Sequence, residues 1–342
     1  MNATLAPDPW TINADDFPAM GSSTDKLHFL LQYAVLAPSS HNSQPWLFRV
    51  RGDEVELYAD RTRALRVADP EDRELIISCG AALCHLRIAM RHFGYLGQME
   101  LFPDLGDPDL LARVRLGAQT EHDAEQSLMF HAIAKRRTNR LPFARDPVPA
   151  ALLLALEREA YEESGWLCYV RGEEARCEVA DLVAEGDRTQ WADKKFRLEL
   201  SAWVHSNQST SRDGIPGYAE GRGTLLSAAG PLVVRTFDLG EGRAARDRDI
   251  AVHSPVLAVL GTNDDTPCGW LAAGQALARI LLRARVEDVW ASFLNQPIEV
   301  PELRSKLSHT IGHGGYPQIL LRFGFGRDVK PTPRRLVDEV LI

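Results

Sequence analysis

Apolar residues recur along this chain with two spacings, one typical of helices and the other typical of strands. A helical spacing runs from Leu27 to Val35, and an alternation of apolar and polar residues begins at Trp46. Between them lies Ala37-Pro-Ser-Ser-His-Asn-Ser-Gln-Pro, where Pro38 ends the helix and short polar side chains favour a turn. The pattern therefore predicts a helix, a polar loop and a strand in succession.

Two of the patterns in the chain occur twice. The strand-like Trp46-Leu-Phe-Arg-Val-Arg-Gly-Asp-Glu returns at an offset of 120 residues as Trp166-Leu-Cys-Tyr-Val-Arg-Gly-Glu-Glu, and each copy predicts a strand that enters a hairpin. The helical Gly80-Ala-Ala-Leu-Cys-His-Leu-Arg-Ile-Ala returns at an offset of 194 as Gly274-Gln-Ala-Leu-Ala-Arg-Ile-Leu-Leu-Arg, and each copy predicts a buried helix. Two matches in the same order favour a duplicated unit, whose second copy carries 74 more residues between strand and helix.

The duplication predicts an α+β fold of two related halves, each a mainly antiparallel sheet with helices, packed as a pseudo-dimer within one chain. We expect residues 1–25 to form an irregular N-terminal arm, residues 26–120 the first half and residues 121–342 the second half. The first half includes a predicted hairpin around Met99–Phe102 and Leu111–Gly117.

The second half carries an insertion at about residues 188–265. It mixes chain-breaking residues, as in Ser211-Arg-Asp-Gly-Ile-Pro-Gly, with amphipathic stretches, and so predicts a helix and a long covering loop. Such a segment is either a lid over a site or a surface insertion that packs on itself, and the sequence leaves both open.

Composition narrows the class of partner. The chain has 342 residues and a formal net charge of −8, which argues against nucleic-acid binding by bulk electrostatics. Basic residues cluster at 135–140 and 334–335, which suits a small anionic ligand.

The five cysteines form no Cys-x-x-Cys pair, as expected of a protein in a reducing cytoplasm. With no apolar run of membrane-spanning length and no secretory leader pattern, we expect a cytoplasmic protein without a membrane partner.

The polar loop carries the first resemblance. Its Pro-Ser-Ser-His-Asn-Ser-Gln-Pro-Trp resembles the flavin-contacting loop of the nitroreductase family of FMN-dependent oxidoreductases, in which Pro-Ser-Ser-x-Asn-x-Gln-Pro-Trp recurs. An ordinary hydrophilic turn is the alternative, but seven matching residues within nine positions at a helix-to-strand junction favour the flavin loop. The resemblance implies that the cofactor contacts come from Ser39, Ser40, His41, Asn42 and Gln44.

A second string, Arg136-Arg-Thr-Asn-Arg-Leu-Pro-Phe, resembles the family's Arg-x-Ser-x-Lys/Arg-x-Phe segment. Guanidinium groups are good bidentate partners for a phosphate, whereas the alternative is a solvated basic helix end. The resemblance implies that Arg136 and Thr138 bind the FMN phosphate, with Arg137 beside them. Arg140 would reach the N1/C2=O edge of the flavin.

The last part of the chain, from Gly315 to Gly324 and then Pro-Thr-Pro-Arg-Arg, looks like the family's last core strand and its basic segment. Either Arg334 or Arg335 would meet the phosphate, and the sequence does not choose between them. Arg322 is a weaker candidate, because a strand arginine can simply pair with a carboxylate. Two further residues, Ser292 and Phe293, fall where the family places a backbone N–H against flavin N5.

The duplicated layout is most similar to the Acg family of actinobacterial FMN proteins. This resemblance implies one FMN between the halves, hydride transfer from NAD(P)H to flavin N5, and delivery to a small electron-poor or conjugated acceptor. We expect one flavin per chain, because the second copy has Tyr161-Glu-Glu-Ser-Gly before its Trp where the first copy has Ser39-Ser-His-Asn, and two glutamates would repel a flavin phosphate. The pseudo-dimeric chain is expected to act alone or as a homodimer, with no metal site and no nucleic-acid partner.

Other functions stay open from the sequence. If the insertion occludes the flavin, the chain would be an FMN-binding or sequestering protein with little reductase activity. A dehydrogenase that passes electrons to oxygen and a domain without flavin are further alternatives. A Ser–His hydrolase is disfavoured, because no Gly-x-Ser-x-Gly segment accompanies His41.

Overall fold

The computed structural model describes residues 8–120, 124–221 and 227–342 of the chain. These residues form two four-stranded sheets, antiparallel throughout, with helices packed on them, so the predicted α+β class is confirmed. Residues 1–7 of the expected arm and Asp123, near the expected start of the second half, lie outside the described residues. The same holds for residues 222–226 of the insertion.

The elements up to residue 162 include the four strands of the first sheet. The helix before the polar loop begins with a capping box, in which Ser22 and Asp25 satisfy each other's backbone N–H groups. In chain order the elements are α1 (Ser23–Ala34), β1 (Trp46–Arg51), β2 (Glu54–Ala59), α2 (Arg73–His92), β3 (Tyr95–Leu101), β4 (Leu110–Gln119), α3 (Ala124–Ile133) and α4 (Ala150–Glu162).

The elements from residue 165 onward build the insertion and the second sheet. In chain order they are β5 (Gly165–Tyr169), α5 (Glu173–Ala192), α6 (Lys194–Trp203), β6 (Val204–His205), β7 (Ile215–Pro216), α7 (Gly230–Thr236), α8 (Gly240–His253), β8 (Val256–Thr262), α9 (Pro267–Val286), β9 (Trp290–Phe293), α10 (Gln296–Glu299), α11 (Pro301–Ile311) and β10 (Tyr316–Gly324). Within the described ranges, no helix combines the length and the apolar character needed to cross a membrane.

The two sheets have the same strand order. The first is β1-β2-β4-β3 and the second is β5-β8-β10-β9, so each places its strands as first, second, fourth and third in chain order. The predicted hairpin of β3 and β4 is confirmed, with Leu101 opposite Ala112. The matching order is what a duplicated unit would produce, and the pseudo-dimer remains our interpretation of it.

The second copy of the repeated strand does not enter a hairpin, and this prediction was wrong. In the first copy, Gly52 turns β1 into β2, and Trp46 pairs with Ala59. In the second copy, Gly172 with a φ of 83° leads into α5, and β5 pairs instead with the distant β8. The same Arg-Gly-acid wording therefore starts a turn in one half and a helix in the other.

The insertion is more helical than the sequence suggests. The expectation of one helix and a long loop was wrong, because α6, α7 and α8 all lie between residues 188 and 265. The same span also includes β8, which pairs with both β5 and β10 inside the second sheet. The long connection that has no counterpart in the first half thus runs from the end of β5 to the start of β8.

A segment close to residue 340 covers the outer edge of the first sheet. The N–H of Phe48 on β1 donates to the carbonyl of Val340 at 2.7 Å, and the N–H of Ile342 donates to the carbonyl of Phe48 at 2.9 Å. Because β1 is an edge strand, this contact satisfies backbone groups that would otherwise be exposed.

The helices α2 and α9 cross in the middle of the molecule at two glycines. A Cβ atom on Gly80 would lie 2.3 Å from the carbonyl oxygen of Leu271, and one on Gly274 would lie 2.0 Å from that of Ile77. Real Cβ atoms do not approach oxygen so closely, so only glycine allows this crossing. Both helices belong to one hydrophobic core that also takes residues from both sheets, such as Leu57 and Leu321.

We predict that Gly274→Ala lowers the free energy of unfolding by about 3 kcal/mol, because the added methyl group must force α2 and α9 apart. Denaturant unfolding measures the change. The matched control is Gly242→Ala on α8, where a Cβ meets nothing within 4 Å. This control should raise the free energy of unfolding by up to about 1 kcal/mol, because alanine is more favourable than glycine within a helix. Equal effects of the two substitutions would contradict a specific role of the crossing.

Candidate functional site: two adjoining cavities

The polar loop between α1 and β1 has an unusual backbone. His41, Asn42 and Gln44 have φ values of 53°, 56° and 51°, in the left-handed region that non-glycine residues rarely adopt. The hydroxyl of Ser39 accepts the N–H of Gln44 at 2.9 Å and closes the turn. Strained residues of this kind persist where their surroundings fix them, and they concentrate at functional sites.

Asn42 fixes this loop to two distant parts of the chain. Its side-chain amide donates to the carbonyls of Gly214 at 3.0 Å and Pro333 at 3.1 Å, and its Oδ1 accepts from Arg334 Nη1 at 2.6 Å. The Asn42 amide is therefore engaged within the protein. It joins the loop to the insertion and to the basic segment.

Gln44 makes an equivalent connection. Its Nε2 donates to the carbonyl of Arg212 at 2.8 Å, and its Oε1 accepts the N–H of Arg335 at 2.7 Å. Arg335 in turn donates from Nη1 to the carbonyl of Gln44 at 3.1 Å. Among the predicted cofactor ligands, Asn42, Gln44 and Arg335 line neither of the two cavities described below. Their hydrogen bonds join the polar loop to the insertion and to the basic segment.

The larger cavity, of about 250 Å³, lies where the polar loop meets β9. Its wall combines three stretches that are distant in sequence. The predicted site residues that line it are Ser39, Ser40, His41, Thr138, Arg140, Ser292 and Phe293.

The stretch from Thr138 to Arg140 is held against β9. Helix α3 ends at Ile133, so the basic string follows the helix, and the alternative of a basic helix end is not what the structure shows. Thr138 bridges to Ala291, and the N–H of Asn139 donates to the carbonyl of Ala291 at 3.1 Å. These backbone contacts place Arg140 next to the strand that carries Ser292.

Arg322 of β10 supports the same stretch. It is buried, and its Nη2 donates to the carbonyls of Asn139 at 3.1 Å and Leu141 at 3.0 Å. Its guanidinium carbon lies 4.1 Å from the centre of the Phe143 ring. Among the described residues no carboxylate forms an ion pair with Arg322, so the simple strand ion pair considered from the sequence is not what the structure shows.

Glu74, near the start of α2, connects the two walls of the larger cavity. Its buried carboxylate accepts from the Ser40 hydroxyl and from Asn295 Nδ2, the latter at 3.0 Å. Ser40 belongs to the polar loop, whereas Asn295 follows β9. Sequence reasoning missed Glu74, because an acidic residue in the first turn of a helix is common and gives no specific signal.

Burial keeps His41 uncharged. Removal from water lowers the pKa of its imidazole to about 4, and the nearby Glu74 carboxylate offsets only part of this effect. At neutral pH the larger cavity therefore contains a neutral imidazole beside the Ser39 and Ser40 hydroxyls, which together offer hydrogen-bond donors and acceptors without net charge.

The insertion forms another part of the wall of the larger cavity. Of the two alternatives raised by the sequence, a segment that packs only on itself does not describe this arrangement, because helices α5, α6 and α8 all line the space. The apolar contributions come from Trp191, Phe196, Leu200 and Ile250, and the charged or amide contributions from Asp187, Gln190, Arg243, Arg246 and Asp247.

The carboxylates of Asp187 and Asp247 both accept a hydrogen bond from the side-chain amide of Gln296. Gln296 Nε2 lies 3.3 Å from an Asp187 oxygen and 3.1 Å from an Asp247 oxygen. Burial, reinforced by the Asp247 charge, raises the pKa of Asp187 to about 7. No group of three or more His, Cys, Asp or Glu side chains suited to a metal ion occurs in the part of the chain that the structure describes.

The smaller cavity, of about 120 Å³, adjoins the larger one and shares Thr138 and Arg140 with it. Its lining is cationic and, in the ranges that the structure describes, contains no Asp or Glu. The basic residues that line it, in addition to Arg140, are Arg136, Arg137, Lys330 and Arg334. Of the two candidates that the sequence left open, Arg334 lines this cavity and Arg335 does not.

The guanidinium groups of this cavity lack anionic partners within the described residues. The Nε atoms of Arg136 and Arg334 are buried and have no hydrogen-bond partner there. Burial, with the charge of neighbouring arginines, lowers the pKa of Arg136 to about 9 and that of Arg334 well below its usual value. A bound phosphate would reverse both effects, so the donor set fits the phosphate of FMN.

The position that corresponds to the polar loop in the second half is filled by ion pairs. Arg279 of α9 contacts Glu159 at 2.6 Å and Glu162 at 2.5 Å. Glu163 contacts Arg87 of α2 at 2.8 Å. Carboxylates and guanidinium groups thus pair with one another there, and among the described residues this position has no hydroxyl pair like that of Ser39 and Ser40.

Comparison with known proteins now identifies the chain. No protein-family model matches it. The protein provisionally named NAD(P)H nitroreductase Rv3131, from Mycobacterium tuberculosis (strain ATCC 25618 / H37Rv), is 31% identical over 319 residues, covering 91% of this chain and 90% of that protein. The chain belongs to the NAD(P)H nitroreductase family. A second member of the family, provisionally named NAD(P)H nitroreductase acg and from the same strain, is 31% identical over 325 residues, covering 93% and 96%. The predicted resemblance, including that to Acg, is confirmed.

Solved nitroreductase structures align with part of the present chain. The FMN and NADPH-dependent nitroreductase NfnB from Sphigopyxis sp. strain HMH aligns with a TM-score of 0.42 and 17% identity, covering 63% of this chain and 97% of that one. The FMN-dependent nitroreductase NfnB from Mycobacterium smegmatis, solved in complex with NADPH, aligns with a TM-score of 0.39 and 18% identity, covering 62% and 96%.

We predict a pH-dependent stability that His41 helps to set. Because its folded pKa of about 4 lies below the ordinary histidine value of 6.5, the unfolded chain binds more protons between these two values. The contribution of His41 to the free energy of unfolding is complete above pH 6.5 and is lost as the pH falls toward 4. In His41→Asn, whose side chain tolerates the left-handed backbone, the unfolding free energy should decline less steeply between pH 7 and pH 5.

Denaturant unfolding at the two pH values measures this slope. The buried His85, whose pKa is lowered to about 3, remains in the variant, so the slope should shrink and not vanish. The exposed His309→Asn serves as the matched control and should keep the wild-type slope. A His41→Asn protein with the wild-type slope would show that His41 takes up a proton freely in the fold.

Proposed function

We propose that this protein is an FMN-dependent oxidoreductase that takes hydride from NAD(P)H and passes it to a small electron-poor or conjugated acceptor. The observation that carries the proposal is the pair of adjoining cavities that share Thr138 and Arg140, one cationic and the other lined by hydroxyls, an imidazole and apolar side chains. A flavin with a phosphate tail has this same division of charge. The names of the family members point to the same reaction.

In this proposal the smaller cavity holds the phosphate and the larger one holds the flavin ring. Arg136, Arg137 and Arg334 would bind the phosphate with the Thr138 hydroxyl, since guanidinium groups suit phosphate oxygens. Arg140 would lie at the edge of the ring, where a cation stabilises the anionic reduced form. Bound FMN supplies the chemistry, because its ring accepts a hydride and releases it to a second substrate.

The chain's own residues position the reactants and exclude water. Ser39, Ser40 and the neutral His41 offer hydrogen bonds from one side, and the stretch from Ser292 to Phe293 forms the other side. The apolar side chains of the insertion, led by Trp191 and Phe196, restrict the entry of water. Positioning of this kind accounts for catalysis without an obligatory side-chain acid or base.

An absorbance spectrum with anaerobic addition of NADPH, and then of NADH, tests the proposal. Bound flavin that bleaches, and regains its colour when a nitroaromatic acceptor is added, supports the reductase. Flavin that stays oxidised with both nucleotides contradicts it and favours the sequestering alternative, in which the insertion occludes the ring. A protein that binds no flavin after reconstitution contradicts the cofactor itself.

We predict one FMN per chain. The corresponding position of the second half contains the ion pairs of Glu162 and Glu163 with arginines, so it has no free cation for a second phosphate. Denaturation of the loaded protein and quantification of released flavin against protein concentration give the ratio. A ratio close to two would show that both halves bind flavin.

We predict that Arg136→Ala raises the Kd for FMN roughly thirtyfold, or about 2 kcal/mol, because a charge-assisted contact to the phosphate is lost. Flavin fluorescence quenching on the apoprotein measures the Kd. The control is Arg158→Ala, which removes an exposed arginine that pairs with Glu125 on α3, far from either cavity lining. Wild-type affinity in Arg136→Ala would remove Arg136 from the phosphate site.

A further inference from the structure

Among the described residues, aromatic rings and not carboxylates contact three of the cations that line the smaller cavity. The guanidinium carbon of Arg137 lies 3.7 Å from the centre of the Trp10 ring, and that of Arg334 lies 5.0 Å from it. On the same cavity, Lys330 Nζ lies 4.6 Å from the centre of the Tyr218 ring. Three of the cations that line this space therefore rest against two aromatic side chains.

Both rings are anchored to the segment that carries Lys330 and Arg334. Trp10 Nε1 donates to the carbonyl of Thr332 at 2.9 Å, and the Tyr218 hydroxyl donates to the carbonyl of Pro331 at 2.9 Å. Trp10 comes from the N-terminal arm, which the sequence offered only as an irregular lead-in. The arm thus reaches the cationic cavity through one defined hydrogen bond and one ring face.

The choice of an aromatic partner has a physical consequence. A carboxylate next to Arg137 or Arg334 would neutralise the guanidinium and compete with an incoming phosphate for its N–H groups. The face of an indole attracts a cation and fixes its plane, yet it leaves the charge and the N–H groups available. Within the described residues, neither Arg137 nor Arg334 has a carboxylate oxygen within ion-pair distance, in line with this arrangement.

We propose that Trp10 is a specificity-determining residue that orients Arg137 and Arg334 for a phosphate monoester, and so makes the site prefer FMN over riboflavin. The inference rests on the proposed function and extends it to a residue of the N-terminal arm. The guanidinium groups that lie over the Trp10 ring are those of Arg137 and Arg334, so we treat the contribution of Arg136 to phosphate binding as separate.

The test compares FMN with riboflavin on the same apoprotein, because the two ligands differ only by the phosphate. Trp10→Leu keeps an apolar side chain and removes the ring face, whereas Trp10→Phe keeps a smaller ring. Trp203→Leu is the matched control. The guanidinium carbon of Arg63 lies 5.4 Å from the centre of the Trp203 ring, and Trp203 does not line the smaller cavity. Kd values come from flavin fluorescence quenching, after circular dichroism has shown that each variant is folded.

We expect Trp10→Leu to raise the Kd for FMN about tenfold and to leave that for riboflavin unchanged. Trp10→Phe should raise the Kd for FMN less, and Trp203→Leu should keep the wild-type ratio of the two Kd values. If Trp10→Leu does not fold, Trp10→Met takes its place with a flexible apolar side chain, and the same criteria apply.

Equal changes for FMN and riboflavin would overturn the proposal, because Trp10 would then act by packing alone. Wild-type Kd values for both FMN and riboflavin in Trp10→Leu would overturn it as well. These results leave the proposed function intact, since wild-type protein would still bind FMN and be reduced. A wild-type protein that binds neither flavin would contradict the proposed function itself, and the proposal for Trp10 with it.

Discussion

The close crossing of α2 and α9 at Gly80 and Gly274 sets the separation of the two sheets, and the candidate site depends on that separation. Glu74 lies six residues before Gly80, about 9 Å along the helix axis. From there its carboxylate reaches Asn295, which follows a strand of the other sheet, at 3.0 Å. A crossing wider by the width of one methyl group would pull these hydrogen-bonded groups apart. The spacing of the helices is therefore also the spacing of the cavity walls.

Electrostatics imposes a second constraint, which the fold meets only in part. Buried guanidinium groups are costly unless anions or hydrogen bonds compensate them. Arg322 donates to two carbonyls and Arg334 donates to Asn42 Oδ1, but the buried Nε atoms of both arginines lack a partner among the described residues. The basic string Arg136–Arg140 adds further positive charge to the same region. An arrangement of this kind is favourable only together with an anion, as in a site preorganised for phosphate.

The sequence predicted those parts of the molecule that short motifs encode. The polar loop, the basic string and the hairpin of β3 and β4 are continuous stretches, so a short window of sequence is enough to single out each of them. The motif could not tell the residues that line the larger cavity from those that do not, because Asn42 and Gln44 match it as well as Ser40 does. Their amides turned out to bind carbonyls of Gly214 and Arg212, which only the tertiary structure brings near.

Contacts between remote parts of the chain had no local signature. Trp10 bonds to Thr332 across 322 positions and Glu74 bonds to Asn295 across 221, so no window of sequence contains both partners. The failure at Gly172 has another cause. A glycine with a positive φ can precede a turn or a helix equally well, and the choice depends on the strand that pairs next.

The link from Asn42 to Pro333 and Arg334 has a consequence for the order of biosynthesis. The polar loop leaves the ribosome almost three hundred residues before the segment that fixes its strained backbone. The edge of the first sheet likewise waits for Val340 and Ile342. A nascent chain consequently has the serines of the loop long before it has a site around them. In the proposed function, flavin uptake is therefore a step that follows synthesis of the basic segment around Arg334.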